Sequence, residues 1–296
     1  MDKVDTKNPD NIRQAVRERY GQIGAAGRID VPAPSAAACC GSGGLVSVES
    51  LAAKPQGEAQ PAAASCCSPA QVPVAAVAAV LGYSEEELES LPEGANMALG
   101  CGNPNAIAQL RPGEVVLDLG SGGGIDCFLA AKKVGPEGRV IGVDMTPEMI
   151  HRARDNARKV EAVNVEFRLG EIEHLPVADA AVDVIMSNCV INLSPDKPAV
   201  YQEAFRALKP GGRLAISDVV ASRPLPEAIR QDPKMLCSCI GGAETIANIE
   251  TMLAHTGFTQ VRVIANEESR TFIKHWVPES GLETYIVSAV IEAVKP

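Results

Sequence analysis

Alternating strand and helix signatures between residues 115 and 219 predict an α/β protein built on a doubly wound, largely parallel sheet. Three observations carry that expectation. Apolar runs fall near 115–119, 139–143, 164–169, 182–187 and 212–219, and helical stretches near 124–132, 147–158 and 197–208 separate them. The first run also ends in the glycine-rich turn Gly120-Ser-Gly-Gly-Gly124.

The elements preceding the sheet follow in order. Asn8-Pro9 reads as an N-cap with proline at the first helical position, and Ile12, Val16 and Tyr20 recur on one face of the helix that follows. From Val31 to about Pro73 the chain is rich in Ala, Pro, Gly and Ser and poor in large apolar residues, so a flexible segment is expected. It carries two vicinal pairs, Cys39-Cys40 and Cys66-Cys67, read as exposed thiols for capture or exchange. Ser84-Glu-Glu-Glu87 spells a capping box and a short acidic helix. In Leu99-Gly-Cys-Gly-Asn-Pro-Asn105, Asn103 and Pro104 mark another helix start, which puts Cys101 in a glycine-flanked loop where a helix N-terminus would favour its thiolate. Beyond Asp218 come a helical stretch around 226–236, a Cys237-Ser-Cys239-Ile-Gly-Gly turn, a helix near 248–256 and strands near 259–265 and 284–293. Those strands either complete the sheet or form a small lid. The expected division is 1–73, an N-terminal helix and flexible Cys-containing segment; 74–222, the cofactor-binding domain; and 223–296, a small C-terminal α+β region.

Composition narrows the chemistry. A chain of 296 residues can bury a large core, and a formal net charge of -10 disfavours nucleic acid or anionic membrane as a partner. The first ten residues lack the apolar core of a signal peptide and no apolar run is long enough to span a bilayer, so a cytoplasmic protein is expected. In that setting nine cysteines suggest metal binding, metalloid binding or redox chemistry in place of a disulfide framework.

The glycine turn points to a cofactor. Glycines let the chain turn sharply between strand and helix and let a bulky ligand approach the backbone. A dinucleotide fingerprint would need glycine at position 125, which is Ile125; the spacing Gly120-x-Gly122-x-Gly124 after Asp118 is similar to motif I of the S-adenosylmethionine-dependent methyltransferases. Asp144, at the end of the next strand, is placed to accept hydrogen bonds from ribose hydroxyls, and Glu171, just after the third, to meet the adenine edge. Leu208-Lys-Pro-Gly-Gly-Arg213 resembles a further motif of the same fold. The expected cofactor set is Asp118, Gly120, Ser121, Gly122, Gly124, Asp144, Met145, Glu171, Ile172 and Asn188.

Cys189 narrows the substrate. It follows the apolar run Val182 to Met186, and open α/β sheets bind ligands beyond the carboxyl ends of such strands. Cys101, Cys237 and Cys239 could converge on the same cleft, whereas Cys127, inside the first sheet helix, reads as core. His151, His174, His255 and His275 are scattered and read as surface or structural residues.

The segments Ile12-Arg-Gln-Ala-Val-Arg-Glu-Arg-Tyr20, Leu99-Gly-Cys-Gly-Asn-Pro104, Ser187-Asn-Cys-Val-Ile-Asn-Leu193 and Cys239-Ile-Gly-Gly-Ala243 together resemble the arsenite methyltransferases. The resemblance implies a Rossmann-like methyltransferase sheet, a detoxifying methyl transfer from S-adenosylmethionine to trivalent arsenic, and arsenic bound by the thiolates of Cys101, Cys189 and Cys239. It further implies that Cys39 or Cys40 exchanges disulfides, with thioredoxin or glutathione as reductant. Soft thiolates select a soft centre, and arsenic held by three sulfurs keeps a lone pair that is itself the nucleophile, so no general base is required. Two other readings compete: a structural zinc held by Cys101, Cys189, Cys237 and Cys239 in a methyltransferase with another acceptor, and a non-catalytic thiol sensor.

Overall fold

A computed structural model describes residues 8–27, 78–97, 99–274, 276 and 281–296. The expectations for 31–73, with Cys39, Cys40, Cys66 and Cys67, and for His275, lie outside the described residues.

The chain begins with α1 (Pro9–Ala26), which Asn8 caps by accepting from the Asp10 amide. Helix α2 (Glu85–Glu89) closes the capping box expected at Ser84 and Glu87. After the single turn of α3 (Pro104–Ile107), the alternation runs β1 (Val115–Leu119), α4 (Ile125–Val134), β2 (Arg139–Asp144), α5 (Pro147–Lys159), β3 (Val165–Leu169), β4 (Val182–Asn188), α6 (Lys197–Ala207) and β5 (Leu208–Ala221). Strands and helices therefore fall where periodicity puts them, within a few residues.

Seven strands form one sheet in the order β3-β2-β1-β4-β5-β7-β6, with β6 (Thr259–Asn266) and β7 (Ile286–Val294) antiparallel additions to a parallel core. Of the two fates open to the C-terminal strands, they take the first and complete the sheet. Pairing with β7 from Arg213 to Ala221 also explains why β5 outruns its expected length. Along β1, Val116 joins a cluster with Cys127, Phe128 and Ile150 while Leu117 joins one with Tyr201, Ile249 and Leu253, so helices cover both faces. Truncating a residue such as Leu117, fully buried, would cost about 2–5 kcal/mol.

One expected helix does not form as a unit. The 226–236 stretch splits into α7 (Glu227–Arg230) and α8 (Pro233–Leu236), because Pro233 cannot donate into a preceding turn and Asp232 instead caps the second piece through the Lys234 and Met235 amides. Helix α9 (Ile246–Thr256) follows as expected, started by the Thr245 side chain and stopped by Gly257 at φ 105°.

Candidate functional site

Strand order reverses between β1 and β4, and the carboxyl ends of those two strands carry the glycine turn and Cys189 respectively. A cleft at such a switch point is where an open α/β sheet takes its ligand. The cleft holds about 1100 Å³ including its open mouth. Its walls include Asp118, Gly120, Ser121, Gly122, Asp144, Met145, Ile172, Asn188 and Cys189. Eight of the ten expected cofactor residues are therefore gathered here, with a cysteine beside them.

Backbone geometry makes the turn possible. Gly120 and Gly122 adopt φ 70° and 50°, and a Cβ on Gly120 would collide with the Val190 side chain. Asp144 accepts from the Gly122 amide at 3.0 Å and the Thr146 amide at 2.9 Å, which ties the end of β2 to the turn. Burial holds the carboxyls of Asp144 and Asp118 above the usual carboxylate range, with the nearby Asp126 charge adding to the shift at Asp118. The Ser121 hydroxyl is buried against the cleft with no hydrogen-bond partner, a deficit that a bound polar cofactor would remove. The residues present fit a nucleoside-bearing cofactor.

Two expected residues lie elsewhere. Gly124 caps α4 at φ 95° and does not line the cleft. Glu171 pairs with Arg17 at 3.0 Å and Arg13 at 3.7 Å, and it is Glu173 that lines the cleft, buried and accepting from Ser194 Oγ at 2.7 Å.

The sulfur site adjoins the cleft. Cys101 and Cys189 are joined as a disulfide, with Cα atoms 5.9 Å apart, so neither is a thiolate in this state. The helix expected to favour a Cys101 thiolate is α3, only four residues long, too short for a macrodipole of consequence. Cys237 and Cys239 are free and buried in the same cluster, together with Val16, Leu193, Val219 and Ile240. The Cys239 thiol donates to the Cys189 carbonyl at 2.6 Å, and the Tyr20 hydroxyl of α1 hydrogen-bonds to it. Desolvation pushes the Cys239 thiol well above its ordinary value, against the pull of Tyr20 and Lys197. Cys189 and Cys239 both sit in the left-handed region, at φ 56° and 63°. For a non-glycine residue such backbone costs about 1–3 kcal/mol and persists where the surrounding structure enforces it, most often at functional sites.

Asn188 joins the two halves. Its oxygen accepts from the Cys101 amide at 3.0 Å, while its nitrogen donates to the Gly102 carbonyl at 2.8 Å and the Tyr83 hydroxyl at 3.0 Å. Asp126, buried beneath, accepts from Tyr83, Asn105 and Asn188. Cys127 is core as expected, donating to Asp118 at 3.2 Å. Among the described residues no histidine lines the cleft, and His151 is exposed beside Asp155.

Sequence reasoning missed Asp126, Tyr83, Glu173 and Asp218. Asp218 is buried within β5, and one of its carboxylate oxygens lies within 4.8 Å of both disulfide sulfurs. A lone carboxylate inside the apolar run Leu214 to Val220 was the signal that could have exposed it. Burial pushes its carboxyl up to about 7, against hydrogen bonds from the Val219, Ile191 and Asn192 groups.

Comparison with known proteins adds an independent line. A family model described as a methyltransferase domain matches residues 110–257. An arsenite methyltransferase of Halobacterium salinarum is 47% identical over 294 residues, covering 99% of this chain and 69% of that protein. An arsenite methyltransferase of Aquipseudomonas alcaligenes is 45% identical over 60% of this chain, which spans 52% of that protein. Among solved structures, an arsenic(III) S-adenosylmethionine methyltransferase of Chlamydomonas reinhardtii superposes with TM-score 0.57 at 34% identity, covering 77% of this chain and 75% of the other. A Haemonchus contortus phosphoethanolamine N-methyltransferase shares the fold at 20% identity and TM-score 0.56, over 68% of this chain and 54% of the other.

Proposed function

The chain belongs to the arsenite methyltransferases, and on that premise we propose that Cys101, Cys189 and Cys239 together hold trivalent arsenic while it receives a methyl group. The enzyme is an S-adenosylmethionine-dependent methyltransferase. The observation that carries the proposal is the adjacency of Cys189 to the glycine turn in one cleft, with Cys101 and Cys239 packed directly against Cys189.

S-adenosylmethionine, when bound, supplies a methyl group activated by its sulfonium. The protein's part is placement. Gly120, Ser121 and Gly122 would present backbone and hydroxyl to the cofactor, Asp144 and Glu173 would accept from it, and Asn188 holds the Cys101 loop in register with the cleft. Arsenite, as its trihydroxide, exchanges three hydroxides for three cysteine thiols and releases three waters. The tri-sulfur complex keeps an arsenic lone pair, and orienting that pair toward the methyl group is the larger share of catalysis. The thiol protons leave with the hydroxides as water and arsenic bears none, so no histidine is called on.

The Cys101–Cys189 disulfide is the oxidised form of this site. Two thiols of a reductant, thioredoxin or glutathione, give up two electrons and close to a disulfide as Cys101 and Cys189 become free thiols. Cys39 or Cys40 is the candidate to pass that exchange inward. We place the reaction in the cytoplasm, where such reductants are abundant and where methylation serves arsenic detoxification. Among the described residues no helix is long and apolar enough to cross a membrane.

Arsenic speciation after turnover with S-adenosylmethionine and either reductant tests the reading. Methylated arsenicals, lost with Cys189→Ser, are expected; cofactor binding without any methylated product would replace the enzyme with a sensor.

A further inference from the structure

Asp218 has no part in the reaction as described so far, yet its surroundings are those of a deliberately held anion. It is 2% exposed. Three N–H groups converge on it: Val219 at 2.7 Å and the Asn192 side chain at 2.9 Å on one oxygen, and the Ile191 amide at 3.1 Å on the other. All are donors, which suits an ionised carboxylate that can only accept. Among the described residues no lysine or arginine pairs with it directly, and Lys197 acts on it only from a distance. A buried anion with no cation in direct contact is costly, and a positive charge that develops beside it would relieve that cost.

The neighbours identify where that charge appears. A carboxylate oxygen of Asp218, Cys101 Sγ and Cys189 Sγ all lie within 4.8 Å of one another, whereas Asp218 does not line the cofactor cleft. We infer that the Asp218 carboxylate stabilises the positive charge that develops on thiolate-bound arsenic as the methyl group arrives. In that step the arsenic lone pair forms the new As–C bond, the C–S bond of the sulfonium breaks, and its electron pair stays on sulfur. Unit positive charge thereby leaves sulfur and appears on arsenic. A fixed anion beside the sulfurs meets that charge only as it forms, which is the condition for raising the rate without tightening substrate binding. The inference rests on the arsenic reading above.

The test is Asp218→Asn, assayed at about pH 8.5, above the value near 7 to which burial raises this carboxyl. The expected result is a loss of about 100-fold in kcat, with KM for the arsenical, trivalent arsenic binding, and the affinities for S-adenosylmethionine and neutral S-adenosylhomocysteine unchanged. A wild-type rate overturns the inference. So does a parallel loss of arsenic binding, which would make the carboxylate a shaping group, or a selective loss of affinity for S-adenosylmethionine over its homocysteine product, which would assign the charge to the cofactor. Should the asparagine variant not fold, Asp218→Glu and Asp218→Gln are equal in size and differ in charge alone; equal rates in that pair overturn the inference. Wild-type protein that methylates no arsenic removes the arsenic reading itself, whereas active wild type with an equally active Asp218→Asn removes only the role of Asp218.

Discussion

The cofactor turn and the sulfur site solve the same backbone problem with opposite residues. Around the turn, positive φ at Gly120, Gly122 and Gly124 is free of steric cost, and function comes from exposed main chain. At the sulfur site, positive φ falls on Cys189 and Cys239, which pay for it because a thiol is needed where glycine would be comfortable. One site is stable by composition, and the other is held in place by Asn188, Asn192 and the surrounding strands.

The largest effect that separates the two is on activity. Cys239→Ser is expected to lower methylation of both arsenite and monomethylated arsenic at least about 100-fold while leaving S-adenosylmethionine affinity intact in an equilibrium binding assay. Retained turnover in this variant would undo the proposed thiol set. Gly120→Ala attacks the other side: left-handed φ and collision with Val190 are expected to cost about 2–5 kcal/mol of stability and to weaken cofactor binding, with cysteine accessibility unchanged in folded protein.

A smaller effect sharpens the backbone argument. Cys239→Gly and Cys239→Ala both lack the thiol and both should be inactive, but the glycine variant should be more stable than alanine by about 1 kcal/mol in denaturant unfolding. At position 120 the order is the same, glycine above alanine, with the Val190 collision adding to the gap. Equal stability of the two Cys239 variants would mean that its φ of 63° carries no strain.

A further difference lies in pH response. The Asp218 carboxyl rises from 3.8 to about 7 on folding, so the folded state binds its proton more tightly than the unfolded chain. That linkage favours the fold fully below pH 3.8 and is lost as pH climbs to about 7, a window over which the wild type should lose stability that Asp218→Asn does not. Urea unfolding at several pH values across the window measures the difference, and identical slopes would contradict the assigned burial.

The two regions were also unequally legible in the sequence. The sheet, the glycine turn and Asp144 follow from local rules, since strand period, turn residues and strand ends are all set within a few positions of one another. Cys189 was legible for the same reason, as a strand-end residue. Asp218 was legible only as an odd carboxylate in an apolar run; its role was not, because the groups that hold it, Ile191 and Asn192, come from more than 20 residues earlier, and only the pairing of β4 with β5 brings them together. Glu171 and Glu173 lie two apart in a loop without periodicity, so nothing local decides which one enters the cleft. The break at Pro233, by contrast, was available to a reading that gave proline its full weight.

X-ray absorption at the arsenic edge on reduced, arsenite-loaded protein tests the central claim most directly. Three sulfur neighbours are expected in the wild type, falling to two sulfurs and one oxygen in Cys239→Ser. Two or fewer sulfurs in the wild type, or a sulfur count unmoved by loss of Cys239, would contradict a single arsenic atom shared by Cys101, Cys189 and Cys239.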